Sequence, residues 1–295
     1  MGPHRPTGDF PRHLEELYAR FPFDRSYDDD PISLVRPLAA DRRRAEVAGV
    51  FASTLAIGNT TAIRGAIGRL VDLTGGDVAR LVDPAWAAER QRRLRSFRHR
   101  WIRGDQLAYL GGSLAAFYAG EASLEAAFLR GLDGGGFAQG LDSLARVLRG
   151  GARGPRAPPP PRGYTALFPS PLGPARSPAK RLTLFVRWMV RSRYPDLGLW
   201  TGVPTGELRV PLDQHVHWIA YHLGLTARKS RSWNAVEEVS ESLRRIDPLD
   251  PVRYDFVLCH TGISGDCPKE RDRSVCGPCS VRPDCLLWRR GRNAA

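Results

Sequence analysis

The chain has very little lysine and keeps its cysteine in one place. Lys180, Lys229 and Lys269 are its only lysines, so the other 41 of its 44 basic residues are arginine (44 − 3). A G+C-rich coding bias produces such a ratio, and against it a retained lysine marks a position where an amine is needed. Arginine stays charged, whereas lysine can lose its proton and act as a nucleophile. Four of five cysteines fall within "CPKERDRSVCGPCSVRPDC", Cys267 to Cys285. An odd count in a chain of 295 residues does not fit the disulfide framework of a small secreted domain. The opening residues lack the apolar run of a signal peptide, and no uncharged stretch reaches the ~18 residues of a membrane span. The expectation is a reduced cytosolic protein without a membrane partner, in which clustered thiols bind metal as thiolates.

What the chain has in excess is positive charge. A net +13 and a pI near 10.2 suit a phosphate-rich partner, and would also draw the chain to membrane surfaces or ribosomes. The run "ERQRRLRSFRHRWIR", Glu89 to Arg103, sets seven arginines around Phe97 and Trp101. Arg92, Arg93, Arg95 and Arg98 are its candidate phosphate contacts, and a solvated helix face is the plainer reading.

The pattern is helical almost throughout, without sustained strand alternation. Val47, Val50, Phe51, Thr54 and Leu55 share one helical face, and Gly58-Asn59 supplies its stop. Glycine, proline and arginine dominate "GLDGGG" and "GGARGPRAPPPPRG", so the segment from about 131 to 163 reads as a flexible loop that cannot pack a core. In "SPAKRLTLFVRWMVR", Ser177 is a good N-cap and Pro178 suits the first helical position, which predicts a helix from about Pro178. Lys180 then lies in its first turn, where free backbone N–H groups and the helix dipole favour the neutral amine.

Asp213 in "VPLDQHVHWIAYHLGLT" caps a helix with Val216, Ile219, Ala220 and Leu223 on its apolar face, and a cap can also do chemistry. His215 and His217 are two apart on that helix and do not face one another, so with His222 they form no metal site. Two further helices follow, one in "AVEEVSESLRRI" and one in "DPVRYDFVLCHTGI". Val252, Phe256, Cys259 and Ile263 are spaced by four, three and four along the second. That spacing reads Cys259 as a core thiol and leaves Cys267, Cys276, Cys279 and Cys285 as a set of four. Tetrahedral zinc and an iron–sulfur cluster use the same ligands, so the spacing leaves both metals open.

The C-x₂-C-x₅-C run after a helix, with one cysteine before it, resembles the C-terminal iron–sulfur loop of the endonuclease III family of DNA glycosylases. Eight residues separate Cys267 from Cys276 where that family usually has six. "PLDQHV" resembles the family's V-D-T-H-V/I segment, with Asp213 and His215 matching and Gln214 departing. "SPLGPARSPAKRL" stands where the helix-hairpin-helix belongs but lacks its G-V-G turn. Lys180 precedes Asp213 by 33 positions, a gap similar to that of the archaeal 8-oxoguanine glycosylase branch. "KRLTLFVRWMVR", "DLGLW" and "PLDQHVHWIA" resemble still more a bacterial helix-hairpin-helix family of unknown function.

The resemblance implies an all-α fold of two helical domains with a cleft between them. An N-terminal segment, 1–47, joins a C-terminal domain, 213–295, that carries a Cys₄ loop at 267–285, and 48–212 forms the central domain. It implies a base-excision glycosylase and AP lyase, with Lys180 as nucleophile and Asp213 as its acid–base partner. Ser177, Arg181 and His215 become DNA contacts, and Phe168, Trp188, Trp200 and Trp218 become candidates to stack on a flipped base, though each also reads as core. The implied cofactor is a [4Fe–4S] cluster, with zinc as the alternative. The implied partner is double-stranded DNA with a damaged base or abasic site, bound by a monomer at the bacterial nucleoid. The alternative is a non-catalytic metal-containing protein that binds DNA or RNA.

Overall fold

The computed structural model describes residues 7–154 and 157–290, so Pro155 and Arg156 of the expected loop lie outside the described residues. The fold is all-α. Its helices in chain order are α1 (Phe10–Ala19), α2 (Phe23–Asp29), α3 (Arg42–Leu55), α4 (Thr60–Leu73), α5 (Ala87–Leu94), α6 (Gly104–Tyr118) and α7 (Leu124–Gly135). Then come α8 (Phe137–Arg146), α9 (Lys180–Val190), α10 (Gln214–His222), α11 (Trp233–Arg244), α12 (Asp255–Ile263), α13 (Arg273–Cys276) and α14 (Leu286–Arg290). The strands among the described residues are two-residue pieces, β1 (Arg98–His99) and β2 (Ile102–Arg103), paired antiparallel. No helix among the described residues is long and apolar enough to cross a membrane.

The described residues form two compact units. A terminal unit takes the residues up to Ser26, Ala175–Lys180 and those from Thr205 onward, and a central unit takes Tyr27–Pro174 and Arg181–Pro204. These joins differ from a division at 47 and 212. Helix α3 shows why, because it is buried without a break from Ala45 to Leu55 inside the central unit. A Cβ on Gly49 would meet Met189 Cε at 2.8 Å, so a glycine there is what lets α3 lie directly against α9. Trp188, Trp200, Phe128, Phe168 and Phe185 fill this core, and Glu46 is buried with them. Asp196 is buried too, bridged to Arg187 at 3.1 Å and Arg191 at 3.2 Å.

The expectation of a flexible loop from 131 is corrected by α7 and α8. "GLDGGG" is the last part of α7 plus the joint Gly136, whose φ of 91° turns the chain straight into α8. The two helices pack through glycines. A Cβ on Gly131 would stand 2.3 Å from Gln139 O, and one on Gly140 would stand 2.8 Å from the Phe128 ring. Glycine-rich composition here means close helix contact and not slack chain. Only after the turn Val147–Gly151 does the chain lose regular structure, and the fully buried Tyr164 soon returns it to the core.

The terminal unit brings both ends of the chain together. Aromatic rings of the N-terminal segment lie edge-on to α12 and the residue before it, with Tyr18 5.7 Å from Tyr254 and Phe21 6.0 Å from Phe256. Asp284, fully buried, accepts from Thr7 N at 2.7 Å and Thr7 Oγ1 at 2.6 Å, and meets His13 Nδ1 at 2.7 Å. Helices α10 and α12 approach at Gly262, where a Cβ would meet His215 Cβ at 2.7 Å.

Candidate functional site

Lys180 and Asp213 stand together in the terminal unit, each at the start of a helix. The segment Ala175–Lys180 is tied to α11 by Trp233 N donating to Arg176 O at 2.7 Å and by Arg176 Nη2 donating to Asn234 Oδ1 at 2.7 Å. Arg176 and Ala179 adopt left-handed backbone, with φ of 44° and 46°. Non-glycine residues rarely do so, and Ala179 in that state cannot continue a helix. The helix therefore starts at Lys180 and not at Pro178. Ser177 correspondingly serves a turn, its Oγ accepting from Ala179 N at 3.2 Å.

Asp213 divides its carboxylate between two tasks. Oδ1 caps α10, accepting from His215 N at 2.8 Å and Val216 N at 2.9 Å. Oδ2 stands 3.9 Å from Lys180 Nζ, with the lysine side chain 28% exposed and the aspartate 16%. That separation is an ion-pair distance and longer than a hydrogen bond. The amine and the second carboxylate oxygen thus keep hydrogen-bonding capacity for a third group, and both reach solvent.

A residue that sequence reasoning placed elsewhere completes the cluster. Cys259 is half-buried and its Sγ–H donates to Asp213 Oδ2 at 3.5 Å. Of the four residues whose spacing read as one core face, Val252 and Phe256 are buried, Cys259 is half-buried and Ile263 is 41% exposed, so the thiol stands at the edge of the core. What spacing alone could not supply was that this face meets the N-terminus of α10.

Several expected site residues lie apart from this pair. Arg181 turns into the central unit, donating to Thr54 O at 3.4 Å and Ala166 O at 3.3 Å with its guanidinium over the Trp101 ring, and burial pushes its pKa down to about 10. That geometry occupies it away from a phosphate. Phe168, Trp188 and Trp200 are at most 2% exposed and serve as core, so none offers a face to a base. Trp218, on α10, is the one stacking candidate with open surface, because it lines a cavity. His215 lines the same cavity.

The basic run also resolves differently from a single helix face. Arg90 is buried and donates to Leu81 O at 2.6 Å, and the run continues through the β1–β2 hairpin. Arg92 and Arg93 both bind Glu89, and hydrogen bonds from Arg92 and then Arg93 hold that carboxyl down to about 2. Arg95 and Arg98 are exposed.

The four loop cysteines are free thiols, each half-buried. Burial first, then the neighbouring Cys285, Cys279 and Cys276, pushes the Cys267 thiol up to about 12, so the four sense one another. Asp272 caps α13 within the loop, accepting from Ser274 N at 2.8 Å, and Arg271 stacks over Trp288 at 4.2 Å. In number and kind these donors fit a thiolate-held metal. As placed, no group of three or more His, Cys, Asp or Glu among the described residues stands in metal-ligating geometry.

Residues 30–264 match the family described as "Protein of unknown function (DUF2400)", and the chain belongs to that family. No curated protein and no solved structure matches the chain.

Proposed function

We propose that the protein is a DNA glycosylase with AP lyase activity, acting on a damaged base flipped out of duplex DNA. The observation that carries this reading is the 3.9 Å approach of Lys180 Nζ to Asp213 Oδ2, with both side chains reaching solvent. Asp213 Oδ2 takes a proton from the Lys180 amine. The amine then attacks C1′ of the extruded nucleotide, the C1′–N bond breaks, and the base leaves with the bond's electron pair and a proton. The departing base takes its proton from Asp213, and the carboxylate so restored stands next to the developing positive sugar and lowers the barrier electrostatically. Opening of the sugar gives an imine between Lys180 and C1′, and β-elimination across it expels the 3′ phosphate and nicks the strand. Base flipping is needed because the glycosidic bond is inaccessible in the stack.

The net charge of +13 and the exposed Arg95 and Arg98 supply the general attraction to a phosphate backbone. Cys267, Cys276, Cys279 and Cys285 would hold the metal, [4Fe–4S] or zinc, which would serve there to cross-link the segment between α12 and α14.

Borohydride trapping tests the reading, because it reduces the imine to a stable amine and so reports nucleophile and substrate together. On duplexes carrying 8-oxoguanine, uracil, an oxidised pyrimidine or an abasic site, the native chain forms a covalent adduct with at least one. Lys180→Arg keeps the charge and binds DNA but forms none, and Lys180→Gln behaves alike. An adduct of undiminished yield in Lys180→Arg overturns the assignment.

A further inference from the structure

The terminal unit holds a second feature that the Lys180 chemistry does not use. A cavity of about 610 Å³ opens beside α10, walled by Trp218, Tyr221 and His217 and edged by Lys229, Arg231 and Lys269. Its size lies within the roughly 300–1,000 Å³ of small-molecule sites. Two of the chain's three lysines are at this one cavity and the third is Lys180. Three fixed positive charges face it, and no aspartate or glutamate lines it. The chain carries 44 Lys+Arg against 31 Asp+Glu, so some of its cations have no acidic partner within the chain. Three cations gathered at one cavity favour an anionic ligand there.

The wall adds a second requirement. Trp218 stands edge-on to His222, with ring centroids 4.0 Å apart, which fixes the indole in place. Its Nε1–H is buried and has no hydrogen-bond partner among the described residues. A ligand in the cavity therefore meets the accessible part of the Trp218 side chain and not this N–H. His217 Nε2 donates to Arg228 O at 3.0 Å, which fastens the start of the segment bearing Lys229 and Arg231 to the cavity wall. A bare inorganic anion would satisfy the lysines but leave the aromatic wall unused. An apolar ligand would leave the cations unused.

We infer that this cavity binds a nucleoside phosphate, its base against Trp218 and Tyr221 and its phosphate on Lys229, Arg231 and Lys269. Base stacking on an aromatic side chain and charge-assisted contacts to phosphate are the two interactions this lining offers. The ligand can be a free nucleotide or a terminal nucleotide of a strand, and both present the same chemistry. The cavity lies apart from the proposed catalytic pair, since neither Lys180 nor Asp213 lines it, but it shares His215, Trp218 and Cys267 with the residues assigned under the glycosylase reading.

Calorimetric titration of the full chain tests it, with dAMP, ATP, inorganic phosphate and short single strands with and without a 5′ phosphate. Saturable binding of a nucleotide or a 5′-phosphorylated strand is expected, weakened about tenfold or more in the Lys229→Glu, Lys269→Glu double variant. Both lysines are exposed, so that variant folds as the native chain does. Trp218→Phe keeps a smaller stacking ring and should weaken binding by less. Lys180→Arg should bind all these ligands as the native chain does. A lysine-dependent response to free nucleotides identifies a soluble ligand, and one confined to 5′-phosphorylated strands identifies a strand end. Binding of inorganic phosphate as tight as that of dAMP would overturn the nucleoside assignment. Absence of binding, or binding indifferent to the double variant, would overturn the site.

Discussion

Glu46 and Asp213 each hold several partners, and they are used in opposite ways. Glu46, in the central unit, has every acceptor position taken. Oε2 accepts from Tyr118 Oη at 2.7 Å and Leu124 N at 2.9 Å, and Oε1 accepts from Trp200 Nε1 at 2.7 Å and faces Arg42 Nε at 3.4 Å. Its side chain is wholly buried. Asp213, in the terminal unit, spends one oxygen on a helix cap and presents the other to an amine, a thiol and solvent. A saturated network fixes one packing and has nothing left to offer a substrate, whereas a half-used carboxylate beside an amine is equipped for proton transfer. The same residue chemistry is structure in one unit and a candidate for reaction in the other.

The largest effect that would sharpen this contrast is on folding. Glu46→Ala strands the Tyr118 hydroxyl, the Leu124 N–H and the Trp200 N–H in the core, and should destabilise the chain by roughly 3–5 kcal/mol, read by denaturant unfolding. Trapping chemistry at Lys180, measured where the variant remains folded, should be unchanged. A cost below about 1 kcal/mol would mean that Glu46 is not a keystone of that core.

Asp213→Asn should show the reverse profile. Asparagine caps a helix about as well as aspartate, so stability should hold within about 0.5 kcal/mol. Oδ2 would become an amide or a weaker acceptor, and the single-turnover rate of borohydride-trapped adduct should fall about 10²-fold. Loss of stability with retained rate would return Asp213 to capping alone.

The two carboxylates were not equally legible beforehand. Asp213 could be read because a cap, a lysine 33 positions earlier and a "PLDQHV" segment coincide in one local window. Glu46 could not, since its partners lie 72, 78 and 154 positions away and nothing local distinguishes it from a surface glutamate. Helix existence was likewise local information, and most apolar faces fell where the 3.6-residue period put them. The glycines of α7 and α8 misled because composition reports flexibility only when no neighbouring helix exploits the missing side chain. Arg181 misled for a related reason: an arginine beside a candidate lysine looks like a phosphate contact until its carbonyl partners at Thr54 and Ala166 are known. The rarity of lysine directed attention to three positions, of which Lys180 lies beside Asp213 while Lys229 and Lys269 line one cavity.

A smaller effect comes from His99, another saturated polar group of the central unit. The ring is buried, and its Nε2 faces Leu55 O and Ile57 O, each at 3.0 Å. Burial lowers its pKa from 6.5, the two carbonyl contacts oppose that, and Arg69 and Arg100 add to it. The folded ring is then neutral at pH values where the unfolded chain's imidazole is already protonated. The unfolded state binds the extra proton, so stability rises with pH between the depressed value and 6.5, and falls on acidification through that window. Hydrogen exchange in the β1–β2 hairpin should quicken as pH drops below about 6.5, after correction for intrinsic rates. His99→Gln, which keeps a donor and does not titrate, should remove that dependence. An unchanged pH response in His99→Gln would assign it to other groups.

The smallest effect falls on the residue that links the comparison back to the thiols. Cys259 was read as core, yet its thiol donates to the free oxygen of Asp213 at 3.5 Å, so it touches the candidate site without belonging to the four-cysteine loop. Cys259→Ala removes one weak donor and should cost no more than about 1 kcal/mol of stability, within the net range of a single hydrogen bond. It leaves Asp213 Oδ2 with Lys180 alone, which should shift the pH profile of trapping while lowering its maximum only a few-fold, about 1 kcal/mol in the barrier. Cys259→Ser restores a donor at that position and should bring the profile back toward the native one, a rescue that mere packing would not give. Iron, sulfide and zinc content should be the same in all three proteins. Should either substitution empty the loop of metal, Cys259 would be a ligand, and the oxygen it now faces on Asp213 would be the incidental contact.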